Sequence, residues 1–253
     1  TQHPEFIKIL KMCFDRGYKV LLVSNFLFSE EIRNAILGYL EDGKPMGFLA
    51  NAMDLNDHFL QVFKDNYLAI SKRNIVTWGI TLSDALSSSS TLETYLLKLR
   101  AQLGKPHSIR ISLNFPDADK ENFYFINNHR LGDLVYYAVK EILFLDAVPL
   151  IDCVTFPCMY RSEEIRNFIA QHAERGGKFI CDQAPADYLP DGTIHYCFPA
   201  FSISVDQSEG LQVLQDKYQA KENAIAVPPE CQMCQFYLDQ KCAGPCLGFR
   251  NLS

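Results

Sequence analysis

Apolar positions along the first 150 residues recur with two alternating periods, and the alternation predicts helices and strands in turn. From Pro4 to Arg16, Phe6, Ile9, Leu10, Cys13 and Phe14 fall on one helical face, with Pro4 suited to a first turn and Gly17 to the stop. The short run Val20-Leu21-Leu22-Val23 then reads as a strand that ends in Ser24-Asn25-Phe26. Ser29 caps a second helix, whose first turn holds Glu30 and Glu31 and whose buried side holds Ile32, Ile36, Leu37 and Leu40 before Gly43. The period continues with strand 47–51, helix 57–72 and strand 75–82. Ser90-Thr91-Leu92-Glu93 forms a capping box that opens a helix to Leu103, followed by strand 108–115, a helix from about Leu131 to Phe144 and an apolar segment over 148–154. Strands separated by helices of about 12 to 16 residues call for βαβ units and a parallel sheet buried on both faces, so the fold class is α/β.

After residue 150 the pattern changes. A helix over 162–175 is clear, but turns rich in cysteine, proline and glycine surround it. Leu189 to Phe198 reads as a hairpin around Asp191-Gly192, a strong two-residue turn signal, and a further helix is expected near 207–221. The chain therefore divides into residues 1–150 and a small cysteine-rich α+β part, 151–253. In parallel α/β folds ligands meet the carboxyl ends of the strands, which directs attention to Asn25, Asn51, Thr81 with Ser83, and Arg110 with Asn114. As a set they describe a polar cleft; singly, each Asn or Ser also serves as a cap for the next helix. Trp78 and Phe123-Tyr124-Phe125 read as packing. Asp182, Asp187 and Asp191 read as turn formers, and His195 as a surface or outer histidine rather than a ligand.

Composition narrows the partners. The 253 residues are 48% apolar and carry a net charge of −6 with scattered basic residues, so no Lys/Arg stripe meets a nucleic acid backbone or an anionic membrane. No apolar run reaches the roughly 18 to 20 residues that span a bilayer, and Thr1-Gln2-His3-Pro4 is unlike a signal peptide, which makes the cytoplasm the expected location.

Cysteine changes the picture most. Eight of the nine cysteines follow residue 150; Cys13, alone in a helical pattern, reads as a buried apolar residue. In a reducing compartment such clustering points to metal rather than disulfides. Cys231-x2-Cys234-x7-Cys242-x3-Cys246 places four thiols within sixteen residues, among turns made by Gly244 and Pro245. Tetrahedral sulfur ligation serves zinc and iron–sulfur clusters alike, so a structural zinc at this set stays open. Cys153-x4-Cys158-x22-Cys181-x15-Cys197 makes a second, irregular set of four. In the alternative reading, Cys153 and Cys158 are core residues at a strand end, and Cys181 with Cys197 draws a ligand from the last group.

Cys181-x10-Gly192-x4-Cys197 followed by the Cys231 to Cys246 run is similar to the SPASM or twitch extension of radical S-adenosylmethionine enzymes, which carries auxiliary clusters. His3-Pro4-Glu5 before a helix, then the Val20 to Asn25 strand, resembles the stretch after the glycine-rich motif of that family's partial (β/α) barrel, a TIM-barrel relative. The resemblance implies such a barrel with its first strands missing, then the cysteine-rich domain. It also implies Asn25, Asn51, Ser83 and Arg110 facing the nucleoside cofactor. Its implied cofactors are two auxiliary [4Fe-4S] clusters here, with S-adenosylmethionine and a third [4Fe-4S] cluster in the intact protein. The family's Cys-x3-Cys-x2-Cys loop and glycine-rich motif are absent from these residues, so the expected chain is a portion, inactive alone, of a longer enzyme. Seven residues separate Cys234 from Cys242, where the family more often has about five, and no cysteine follows Cys246. The missing late ligand favours the four-plus-four division, Cys153, Cys158, Cys181 and Cys197 against Cys231, Cys234, Cys242 and Cys246.

The implied activity is reductive cleavage of S-adenosylmethionine and hydrogen abstraction from a peptide or small-molecule substrate, fed by an electron donor such as flavodoxin or ferredoxin. Two other readings stand beside it: a cluster-carrying electron-transfer module, and a zinc-stapled binding domain without catalysis of its own.

Overall fold

Five strands of the chain pair in the order in which they occur, β1 (Val20–Ser24), β2 (Met46–Asn51), β3 (Val76–Leu82), β4 (Ser108–Leu113) and β5 (Val148–Ile151), all parallel. This is a computed structural model that describes residues 3–51, 57–82, 89–113, 129–151, 155–177, 179, 187–189, 191–195, 203–206, 208–224 and 227–244. Helices α1 (Phe6–Asp15), α2 (Glu30–Glu41), α3 (Asp57–Ser71), α4 (Ser89–Leu103) and α5 (His129–Phe144) alternate with the strands, as parallel pairing requires. The chain divides into two compact units. The first comprises Thr1–Leu113, Leu134–Asp152 and His172–Glu174, and the second Asn114–Asp133, Cys153–Gln171 and Arg175–Ser253.

Register and the two-residue period assign every strand position of the first unit to a face, because partners in neighbouring strands point the same way. Leu22, Phe48, Val76, Trp78, Ile80, Leu82, Ile109, Ile111, Leu113 and Ile151 share one face, and all are buried. Helix α3 packs on that face: Tyr67 meets Trp78 edge to face at 6.2 Å, and Phe63 meets Phe26 at 6.0 Å. Trp78 is thus a packing residue, as expected. The opposite face is different. Leu21 and Val23 are 67% and 50% exposed there, and Asn51, Thr77, Thr81, Arg110 and Ser112 are half-buried. The expectation of a sheet buried on both faces therefore holds for one face only. Burial on that face is uneven: Leu49 and Ser108, in register with Val23, are buried, whereas Leu21 and Val23 at the β1 edge are not.

Local rules explain the connections. Ser29 Oγ accepts from the Ile32 N–H at 3.4 Å and caps α2, with Glu30 and Glu31 in its first turn. Helix α4 starts at Ser89, so Ser90 sits inside its first turn rather than at the cap. In α1 only Leu10 and Phe14 are buried; Ile9 is 44% exposed and Cys13 half-buried, because the helix covers the sheet with a narrower stripe than the sequence pattern allowed. Between β1 and α2 the backbone turns through Phe26 at φ +57°, a left-handed conformation costly for a bulky residue. Phe26 is nonetheless fully buried, and Asn66 of α3 holds the turn by donating to the Phe26 and Phe28 carbonyls at 2.7 and 2.9 Å.

The second unit carries α6 (Glu163–His172) up to Gln171, a three-stranded antiparallel sheet and three further helices, α7 (Gly210–Ala224), α8 (Pro229–Gln232) and α9 (Gln235–Leu238). The sheet is β6 (Asp187–Tyr188), β7 (Thr193–His195) and β8 (Ser204–Asp206) in that order. The expected hairpin is present: Gly192 takes φ +88° and Asp191 Oδ1 accepts from the Thr193 N–H at 2.8 Å. That bond holds the Asp191 carboxyl below its ordinary range and fits its reading as a turn former. Ile194, Ile203, Val205 and Leu214 make the small core between this sheet and α7. His195 is buried, not at the surface, because β8 covers β7. Among the described residues no helix is long and apolar enough to cross a membrane.

Asn66→Ala strips the donor from two buried carbonyls in a turn that needs it. The expected loss is about 2 to 3 kcal/mol in urea unfolding, against less than about 0.5 kcal/mol for the exposed Gln61→Ala on the same helix.

Candidate metal centre

On the half-exposed sheet face, register aligns Asn51 of β2 with Gly79 of β3, and Gly79 with Arg110 of β4. A Cβ built on Gly79 would lie 2.0 Å from Asn51 Oδ1, so the Asn51 side chain lies across the glycine toward the β4 side of the row. Two residues toward the strands' amino ends, Thr77 and Ser108 share a hydrogen bond of 2.9 Å between hydroxyls. Asn51 and Arg110, expected to face one ligand, are thus on one face and in one row, with Gly79 between them, over which the Asn51 side chain lies. Asn25 is placed differently: it is exposed beyond β1, and its Oδ1 accepts from the Leu27 N–H at 3.2 Å, a turn-forming use. Ser83 lies outside the described residues.

The second unit gathers cysteines. Cys158, Cys231, Cys234 and Cys242 line one cavity with Phe156, Pro157, Tyr237 and Gly244. None of the four is in a disulfide; Cys231 and Cys242 are buried, Cys158 and Cys234 half-buried. Cys153, Cys181, Cys197 and Cys246 lie outside the described residues. The structure places Cys158 in one cavity with Cys231, Cys234 and Cys242, while its expected companions Cys153, Cys181 and Cys197 lie outside the described residues. Spacing along the chain groups cysteines by neighbourhood, whereas a folded turn brings this one to the run from far upstream.

Each thiol is placed by identifiable local structure. Cys158 is the middle residue of a single 3-10 turn, Pro157–Met159, opened by Pro157 and closed by the Met159 N–H on the Phe156 carbonyl at 3.0 Å. The first turn of α5 clamps that turn. Gly132 approaches so closely that a Cβ would stand 2.1 Å from the Met159 carbonyl oxygen, His129 Nδ1 lies 3.3 Å from the same oxygen, and Arg161 Nε pairs with Asp133 at 2.8 Å. Cys231 sits in α8, and its carbonyl accepts from the Cys234 N–H at 3.0 Å, which brings the Cys-x2-Cys pair round one turn. The seven residues between Cys234 and Cys242 are α9 plus a left-handed stop at Gln240, φ +57°, after which the Lys241 and Cys242 N–H groups both bond the Phe236 carbonyl. The long spacer is therefore one helical turn and its cap. Phe236 is fixed in turn by Phe179, edge to face at 6.3 Å, and by the Arg166 guanidinium 4.6 Å over its ring.

Electrostatics decides what such a site admits. Burial pushes the Cys158 thiol up to about 12, and the charges that Cys231, Cys242 and Cys234 would carry push the same way. At neutral pH the bare Cys158 thiol is therefore protonated, and a bound cation would favour its ionised form. The Gly244 N–H already points at Cys242 Sγ, 3.4 Å away, as a hydrogen bond to a ligating sulfur does. Among the described residues no group of three or more His, Cys, Asp or Glu side chains is arranged to hold a single metal ion. Zinc bonds of about 2.3 Å would draw four sulfurs to within about 3.8 Å of each other. An iron–sulfur cluster would put its own atoms between the thiolates.

Gly132 is the site residue the sequence did not signal, since a glycine near a helix start reads as a weak helix former and nothing more. Gly132→Ala must displace backbone at Met159 and with it Cys158. The expected result is about 1 to 3 kcal/mol lower stability and clearly less metal per chain after anaerobic reconstitution. Gly79→Ala, which meets only the movable end of Asn51, keeps its metal content. Equal metal in both variants would show that the clamp does not position Cys158.

Compared with protein-family models, curated proteins and solved structures, the chain has no match in any of the three.

Proposed function

We propose that this chain is the iron–sulfur-binding portion of a radical S-adenosylmethionine enzyme. The observation that carries the reading is the cavity lined by Cys158, Cys231, Cys234 and Cys242, four free cysteines converging on one space. Cys153, Cys181, Cys197 and Cys246 then make up the number of a second set, for two [4Fe-4S] clusters in all.

The first unit supports the same reading. Its strand order runs β1 to β5 without reversal. Right-handed crossovers place every helix of such a sheet on one side and leave the other side to close on itself, unlike a doubly wound sheet, whose order reverses to cover both faces. The half-exposed face with Asn51, Thr81, Arg110 and Ser112 is then the inner wall of a partial (β/α) barrel. In the intact protein Asn51 and Arg110 would hydrogen-bond and orient the nucleoside cofactor. Asn25 and Ser83 belong to the same proposed rim.

In the second unit, the four thiolates would hold the cluster, while Phe156, Pro157 and Tyr237 exclude water from it. The Gly244 N–H and the degree of burial would set how readily it accepts an electron. Bound clusters supply one-electron chemistry; the substrate, a peptide or a small molecule, is oriented by the chain. An electron donor of the flavodoxin or ferredoxin kind is the expected partner, and the cytoplasm the expected setting.

Anaerobic reconstitution followed by iron and acid-labile sulfide analysis tests the reading. About eight irons and as many sulfides per chain are expected, with a brown chromophore bleached by dithionite. A colourless protein that retains stoichiometric zinc after the same treatment would contradict it.

A further inference from the structure

We propose that Arg166 is the counter-charge of the cysteine centre: its guanidinium, seated on the Phe236 ring, favours metal held by thiolates and sets the potential of a cluster there. The kind of metal rests on the iron–sulfur reading above; the charge does not. Four thiolates outweigh the positive charge of zinc and of an oxidised [4Fe-4S] core alike, so the loaded centre carries about two negative charges in either case.

The chain supplies its own comparison for Arg166. Ser-Glu-Glu-Ile-Arg-Asn occurs twice, at 29–34 and at 162–167. Both copies open a helix in the same way, with the Ser29 and Ser162 hydroxyls accepting from the Ile32 and Ile165 N–H groups at 3.4 and 3.2 Å. In α2 the arginine does what this spacing favours: Arg33 pairs with Glu30, three residues back, at 3.0 Å. In α6 it does not. Arg166 is half-buried, its guanidinium carbon lies 4.6 Å from the centre of the Phe236 ring, and among the described residues no carboxylate pairs with it. The local sequence is identical, so the tertiary surroundings draw Arg166 away from Glu163.

What draws it is the segment that carries two of the thiols. Phe236 stands two residues after Cys234 and beside the cavity residue Tyr237, and its carbonyl accepts the Cys242 N–H at 3.0 Å. Lys241, the cation of the run itself, is taken by Asp239 at 3.1 Å. An aromatic ring holds a guanidinium without cancelling its charge, and a half-buried cation acts over several ångströms in a medium less polar than water. Two effects follow. The cation offsets the negative charge of the loaded centre, so metal is held more tightly. A cluster that takes one electron from a donor, itself oxidised by one, gains a further negative charge, so its potential is higher with Arg166 than without.

The test uses the full chain reconstituted anaerobically with ferrous iron and sulfide. Arg166→Met keeps an unbranched side chain against the ring and removes the charge, whereas Arg166→Lys keeps the charge. With Arg166→Met, one midpoint potential moves to a more negative value and iron is lost at a several-fold lower chelator concentration. Arg166→Lys, and Arg33→Met in the other copy of the sequence, match the unaltered chain in both readouts. An Arg166→Met chain with unchanged potential and chelator resistance overturns the proposal. So does an Arg166→Lys chain as impaired as Arg166→Met, which makes the shape of the side chain the cause, or an equal shift with Arg33→Met. If circular dichroism shows Arg166→Met unfolded, Arg166→Gln takes its place under the same criteria. Should the unaltered chain take zinc in place of iron, the iron–sulfur reading falls and the chelator alone judges the counter-charge. Zinc lost sooner from Arg166→Met than from Arg166→Lys supports it, and equal loss overturns it. A chain that binds neither metal overturns both.

Discussion

The burial of Cys158 in one cavity with Cys231, Cys234 and Cys242 is the constraint around which this part of the second unit is built. Burial and mutual repulsion act on Cys158 in the same direction, which makes the bare arrangement costly in its charged form and inert in its neutral one. Evolution has no packing reason to bring four sulfurs from two separate segments to one space when Leu or Ala would fill it better. The devices around the cavity have the same sense. A glycine gives up its side chain so that α5 can touch the Cys158 turn, and a non-glycine residue, Gln240, takes a left-handed conformation so that Cys242 returns beside Cys234.

The first unit shows a matching division of labour between the two faces of one sheet. The face beneath α3 is aromatic and aliphatic without interruption, and carries the stability. The other face becomes polar toward the carboxyl ends of the strands, where Asn51, Arg110, Thr81 and Ser112 lie, and Gly79 lets the Asn51 side chain lie across β3. Asn66 links the two concerns. Fully buried, it spends both its donors on the strained turn that carries the chain from β1 into α2, so the rim of the polar face is fixed from the core side.

How much was legible in the sequence depended on the range of the cause. The alternation of short apolar runs with amphipathic segments is a local signal, and it located every strand and helix of the first unit to within a few residues. Asp191-Gly192 likewise announced its hairpin, because the turn is made by those two residues alone. β8, α8 and α9 escaped notice: three or four residues are too few to express a period, and their order comes from tertiary hydrogen bonds such as those on the Phe236 carbonyl. Exposure was less readable than structure. Leu21, Val23 and Ile9 look like core residues and are not, since whether a strand face is covered is decided by elements elsewhere in the chain. For the candidate site, Cys231, Cys234 and Cys242 were evident as a compact run, whereas the place of Cys158 was not. Nothing near Cys158 in sequence says that α5 will hold its turn against that run.

The central claim concerns which atoms lie between those sulfurs, and anomalous diffraction answers it directly. Crystals of the anaerobically reconstituted protein, measured on either side of the iron absorption edge, are predicted to show a compact iron peak enclosed by Cys158, Cys231, Cys234 and Cys242. An empty cavity with four free thiols, a single peak at the zinc edge alone, or an iron peak ligated by Cys246 with Cys158 standing apart would contradict the account.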